Sequence, residues 1–174
     1  MDKSIEKMRE MEIKLLIIEY NKASQLDRSL SKTNLSPKKK IEFRIKLINI
    51  CIKLMNMIDN GTLKNNIIRN KIRELKNIDK NISFGQAQKV LNVCLKQYCF
   101  IVNKLELIKE LDCPLDTITM KGYGIKNNKM KHVNEDDYIK YQNNYFVENN
   151  GIRILKDCTY DENRIKQFLI GGSE

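Results

Sequence analysis

Residues 36–61, SPKKKIEFRIKLINICIKLMNMIDNG, decide the fold class. Ser36 suits the cap of a helix, and Pro37 suits its first turn, where a missing N–H is harmless. Asn60-Gly61 ends the run with residues that tolerate a left-handed turn. Between these signals, twelve apolar side chains from Ile41 to Ile58 cover about two-thirds of the circumference at about 100° per residue. Glu42, Lys46, Asn49, Lys53 and Asn56 fill one narrow polar face. A helix this apolar is expected in the middle of a bundle.

The same reasoning extends in both directions. Residues 2 to about 26 read as a helix with Ile5, Met8, Leu15, Leu16 and Ile18 at helical spacing. Residues 27–37 form a polar connection. Thr62 is positioned to cap a third helix reaching about Asn77, and Ser83-x-x-Gln86 is a capping-box pattern opening a fourth. That helix reaches at least Val102. Pro114 begins a short helix, and Gly122, Gly124, Asn127 and Asn128 mark turns, with one short β-hairpin expected near 119–133. Asn134, followed by three acids, starts a helix that Gly151 ends. Ile152 to Leu155 reads as a short strand and Tyr160 to Ile170 as a last helix. The expectation is one all-α domain over 1–174, a bundle of five to seven helices.

Composition bounds the function classes. With 174 residues, 41% hydrophobic and 31% charged, the chain has enough material for a real core. No apolar run of eighteen residues occurs and the first residues lack a signal-peptide core. A cytoplasmic location and no membrane association are therefore expected. The five cysteines, Cys51, Cys94, Cys99, Cys113 and Cys158, form no Cys-x-x-Cys pair, and His132 is the sole histidine. They are expected to be reduced and mostly buried, with no metal site and no cofactor. P-loop, Rossmann glycine and His-Glu-x-x-His patterns are absent.

Charge is the strongest functional signal. Net charge is +10, and residues 1–80 hold 19 Lys/Arg against 10 Asp/Glu, so this half carries nearly all of the excess. Such a surface steers polyanions. Lys38, Lys39, Lys40, Arg44 and Lys46 form its densest run, and Lys64 to Lys80 supply a second group. Aromatic interleaving for base stacking is nearly missing from this half.

The candidate site lies within 83–125. On the fourth helix, Lys89, Asn92, Lys96 and Asn103 line up in one strip bordered by Val93, Cys99 and Phe100. Ammonium groups with amides between them suit an anionic ligand such as a phosphate or nucleotide. Asp116, in Pro114-Leu115-Asp116-Thr117, is placed either to cap a helix or to pair with Lys89 or Lys96.

Gly85 to Val93 and PLDTITMKGYGI (114–125) resemble the core of the helix-hairpin-helix DNA glycosylases. The resemblance implies Lys89, or alternatively Gln88, as the helix-borne catalytic residue, Asp116 as the catalytic aspartate and Lys121 where an arginine is usual. Gly85 stands alone where that family pairs two glycines. The chain is also similar to small uncharacterised bacterial and phage proteins.

Together these readings point to a small basic protein of phage or mobile-element origin that binds nucleic acid or a nucleotide. A glycosylase-like base-excision enzyme is one alternative. The other is a protein partner's ligand: a phage inhibitor of a host defence nuclease, or a sequestering protein for a nucleotide signal.

Overall fold

The computed structural model describes residues 3–27, 30–31, 33–116, 119–120 and 129–157. Among these residues the chain is all-helical, with no strand. The α-helices are α1 (Lys3–Asn21), α2 (Pro37–Asp59), α3 (Asn65–Lys76), α4 (Phe84–Ile101) and α5 (Glu135–Glu148). A π-helical turn (Lys22–Asp27) extends α1, and 3-10 segments cover Leu105–Glu110 and Met130–His132. The expected helix over 160–170, Lys121, Cys158 and most of the expected hairpin near 119–133 lie outside the described residues.

Helix boundaries follow local chemistry. Ser36 Oγ accepts from Lys39 N at 3.3 Å, and Gly61, at φ +68°, closes α2 with its N–H on Ile58 O. Ser83 and Gln86 form the reciprocal capping box of α4, with bonds of 3.1 and 2.9 Å. Asn134 Oδ1 caps α5 by accepting from Asp137 N at 2.8 Å.

Thr62 does not cap α3; its hydroxyl donates to Met57 O at the end of α2. The task falls to a remote group: Glu110 accepts from Asn65 N at 3.0 Å, placing a carboxylate where the helix dipole favours it.

The centre of the bundle is α4 rather than α2. Twelve of its eighteen residues are buried, and it packs on α1, α2, α3 and both 3-10 segments. On α2 the side away from α4 stays in water, with Ile41 and Ile45 exposed. Lys14 joins three helices: its buried ammonium lies 2.5 Å from Asp59 Oδ2 and over the Tyr98 ring, while Tyr98 Oη donates to Asp59 Oδ1. A charge buried on α1 is tolerable because it is paired and hydrogen-bonded.

Two expectations for the second half fail. Residues 111–116 are extended instead of opening a helix at Pro114. Ile152–Leu155 form a turn leading into a helical segment, not a strand, because Leu155 N and Lys156 N bond back to Ile152 O and Arg153 O.

Candidate functional site

The extended segment is held by side chains where a sheet would use a neighbouring strand. Gln142 Oε1 accepts from Cys113 N at 2.9 Å and its Nε2 donates to Cys113 O at 2.7 Å. Gln88 treats Leu115 in the same way, at 3.1 and 2.5 Å. Pro114, between them, has no N–H to satisfy. Two buried glutamine amides thus complete the backbone pairing that burial demands.

Behind this segment runs a buried polar network. Asn92 Nδ2 donates to Tyr138 Oη at 2.8 Å, and Tyr138 donates to Asp112 Oδ2 at 2.8 Å. The Asp112 carboxylate is fully buried. It receives Arg69 through Nε and Nη2 at 2.9 and 3.1 Å, and Asn65 Nδ2 at 2.8 Å. Arg153 brings Nε to 2.6 Å of Oδ1 without hydrogen-bond alignment, and donates from Nη2 to Lys109 O. Burial pushes the Tyr138 phenol up, and the Asp112 charge pushes it further, so Tyr138 remains a donor.

The strip on α4 is therefore not an open anion site. Lys89 Nζ sits 2.9 Å from Asp116 Oδ2, and Lys96 Nζ sits 2.5 Å from Asp157 Oδ2. Asn92 is buried and committed to Tyr138 and Gln88.

Asn103 leaves the strip altogether. It stands past the end of α4 at φ +56°, its N–H on Phe100 O and the next N–H, from Lys104, on Cys99 O. That pair of bonds is a Schellman ending, for which asparagine is the usual substitute for glycine.

Burial works to raise the Asp116 pKa. The Lys89 ammonium and donors from Thr119 (N 2.7 Å, Oγ1 2.8 Å) outweigh it and hold the carboxyl below the usual range. Asp116 is thus an ionised cap, joined to Lys89.

The basic run on α2 is largely neutralised as well. Lys39 pairs with Glu42, Arg44 with Asp27 and Lys46 with Glu74. Lys38 is exposed and Lys40 half-buried, neither with an acidic partner among the described residues.

The cations that remain open gather elsewhere. A cleft of about 640 Å³ lies between the end of α3, the start of α4 and the Met130–His132 turn. Lys76, Lys80, Lys131 and His132 line it, with Asn34 and Asn81. None of these three lysines has an acidic partner among the described residues, and Glu135, the one acid among the described residues that line the cleft, is engaged by Arg73.

Gly85 creates this juxtaposition. A Cβ on it would lie 1.8 Å from Met130 O, and its N–H donates to Val133 O at 3.2 Å. The absent side chain lets the turn carrying Lys131 and His132 seat directly on α4. Lys76 and Lys80 belonged to a basic group visible in the sequence. Lys131 and His132 did not, since tertiary packing at the Gly85–Met130 contact brings them to that group.

No protein-family model, curated protein or solved structure matches this chain. Function must be argued from the site alone.

None of the described cysteines lines the cleft. Cys51, Cys94, Cys99 and Cys113 are all buried. The Cys94 contact and burial raise Cys51, burial raises Cys113, and burial with Glu106 pushes Cys99 up to about 11. Such thiols stay protonated and unreactive. Among the described residues no three His, Cys, Asp or Glu side chains converge as metal ligands, and no helix is long and apolar enough to cross a membrane.

Proposed function

We propose that the protein binds a phosphate-bearing polyanion, nucleic acid or nucleotide, in the cleft between α3, α4 and the Met130–His132 turn. The observation that carries this reading is the convergence of Lys76, Lys80, Lys131 and His132 on one concave surface with no free carboxylate among the described residues that line it. The cleft takes over the role first expected of the α4 strip. Amides from Asn34 and Asn81 supply donors and acceptors for a sugar or base edge.

Titration of a fluorescent oligonucleotide at 50–300 mM KCl tests it. Affinity should fall linearly on a log–log plot, with a slope of about 0.7–0.9 per phosphate neutralised. The Lys80→Glu/Lys131→Glu double variant should lose tenfold or more in affinity and flatten the slope. Lys53→Glu, an exposed change on α2 away from the cleft, should do far less. A salt-independent signal sinks the reading, and wild-type affinity in the double variant removes the cleft from it. Competition by mononucleotides separates a nucleotide site from an oligonucleotide track.

The Lys89–Asp116 ion pair favours a second reading, glycosylase-like base excision, since a helix-borne lysine and a capping aspartate lie within 2.9 Å. It expects base release from a lesion-bearing duplex, abolished by Lys89→Ala and by Asp116→Asn. A panel of damaged duplexes yielding no product excludes it.

A further inference from the structure

The outer face of α1 exposes several large apolar side chains. This helix has nineteen residues, yet only Lys14, Ile17, Ile18 and Asn21 are buried. Lys14 meets Asp59, the last residue of α2, so the turns preceding Lys14 run past the end of that helix. Every described residue from Lys3 to Glu12 is exposed.

On both sides of Lys14 the helix also carries apolar side chains into water. Ile5, Met8 and Leu16 are 56, 68 and 65% exposed, and Leu15 is 40% exposed. At about 100° per residue, all four fall in one stripe on the side away from Lys14, Ile17 and Asn21. The helix thus carries a second apolar stripe, exposed among the described residues, beside the face it buries.

We infer that this stripe joins two copies of the chain, with the two α1 helices antiparallel about a two-fold axis near residues 10 and 11. Charge selects this occupant and this direction. Glu12 lies in the middle of the stripe and Arg9 on its edge. An antiparallel register pairing Ile5 with Leu16 of the partner subunit also brings Arg9 opposite Glu12 of the partner subunit, twice by symmetry. A parallel pairing would set Arg9 against Arg9 and Glu12 against Glu12, leaving like charges at the centre. At positions 9 and 12 the helix is thus complementary to itself in the antiparallel direction and not in the parallel one. The face lies apart from the cleft, so the inference stands independently of polyanion binding.

Sedimentation equilibrium of the full chain at 5–200 μM tests it, as order-of-magnitude concentrations for a weak helix-pair dimer. The expected result is twice the 20.5 kDa chain mass. Leu16→Asp should give a monomer with unchanged helical circular dichroism, since that side chain already faces water. Arg9→Glu and Glu12→Arg should each weaken dimerisation tenfold or more, and the double swap should restore it to within threefold. A monomer at every concentration overturns the inference, as does a dimer indifferent to Leu16→Asp. Failure of the double swap to rescue overturns the antiparallel pairing. A monomer that binds anionic lipid vesicles, and loses them with Leu16→Asp, assigns the stripe to a membrane surface instead.

Discussion

Asp112→Ala should lower the unfolding free energy by about 3–5 kcal/mol, the cost of removing one partner from a buried ionic cluster. The carboxylate is fully buried and has five donors or cations around it. Without it, two guanidiniums with 18% and 9% side-chain exposure face each other across a vacated position. Tyr138 and Asn65 lose an acceptor at the same time. Asp112→Asn keeps the shape but removes the charge, and should recover only part of the loss. Urea denaturation monitored by circular dichroism measures both. A loss under about 1 kcal/mol for the alanine variant would show that Arg69 and Arg153 find water readily, and that the cluster contributes little.

Gly85→Ala is expected to be almost as severe, by a different route. Its methyl would sit 1.8 Å from a backbone oxygen, which cannot rotate aside as a side chain would. Either α4 or the Met130–His132 turn must move, at a cost near the top of the about 1–3 kcal/mol range for overpacking. That movement also pulls Lys131 and His132 away from Lys76 and Lys80, so affinity for a polyanion should fall with stability. Gly61→Ala provides the contrast. No atom lies within 4 Å of a Cβ there, and the strain is confined to a left-handed backbone at φ +68°, costing about 1 kcal/mol. Thermal melts of the two variants separate the effects: equal shifts in Tm would refute the steric account.

Helix ends were the most legible part of the sequence, because they depend on two to four adjacent residues. Ser36-Pro37, Ser83-x-x-Gln86, Asn134 and Asn60-Gly61 all act in the structure as local chemistry dictates. Thr62 failed for the converse reason: a distant carboxylate, Glu110, out-competed it. The segment around Pro114 misled because its backbone is satisfied by Gln88 and Gln142, which no short-range pattern reveals.

The candidate strip was legible as enclosed but not as neutralised. Apolar neighbours of Lys89, Asn92 and Lys96 were visible in a helical projection. Their partners Asp116, Tyr138 and Asp157 come from 27 to 61 residues away along the chain. Asn103 looked like the last member of the strip because the projection continued a helix that ends at Ile101. The cleft was invisible for the same reason, since its two halves are separated by about fifty residues and meet across the Gly85–Met130 contact and the Arg73–Glu135 ion pair.

The capping box has a consequence for whatever occupies that cleft. The first turn of a helix ordinarily offers fixed N–H groups to an anion. At the start of α4 three of them are already spent: Gly85 N on Val133 O, Gln86 N on Ser83 Oγ and Ala87 N on Ser83 O. The cleft is left with long ammonium side chains that adjust to their target and an imidazole at its edge. On the proposed reading, recognition there would rest on charge density rather than on matched donors.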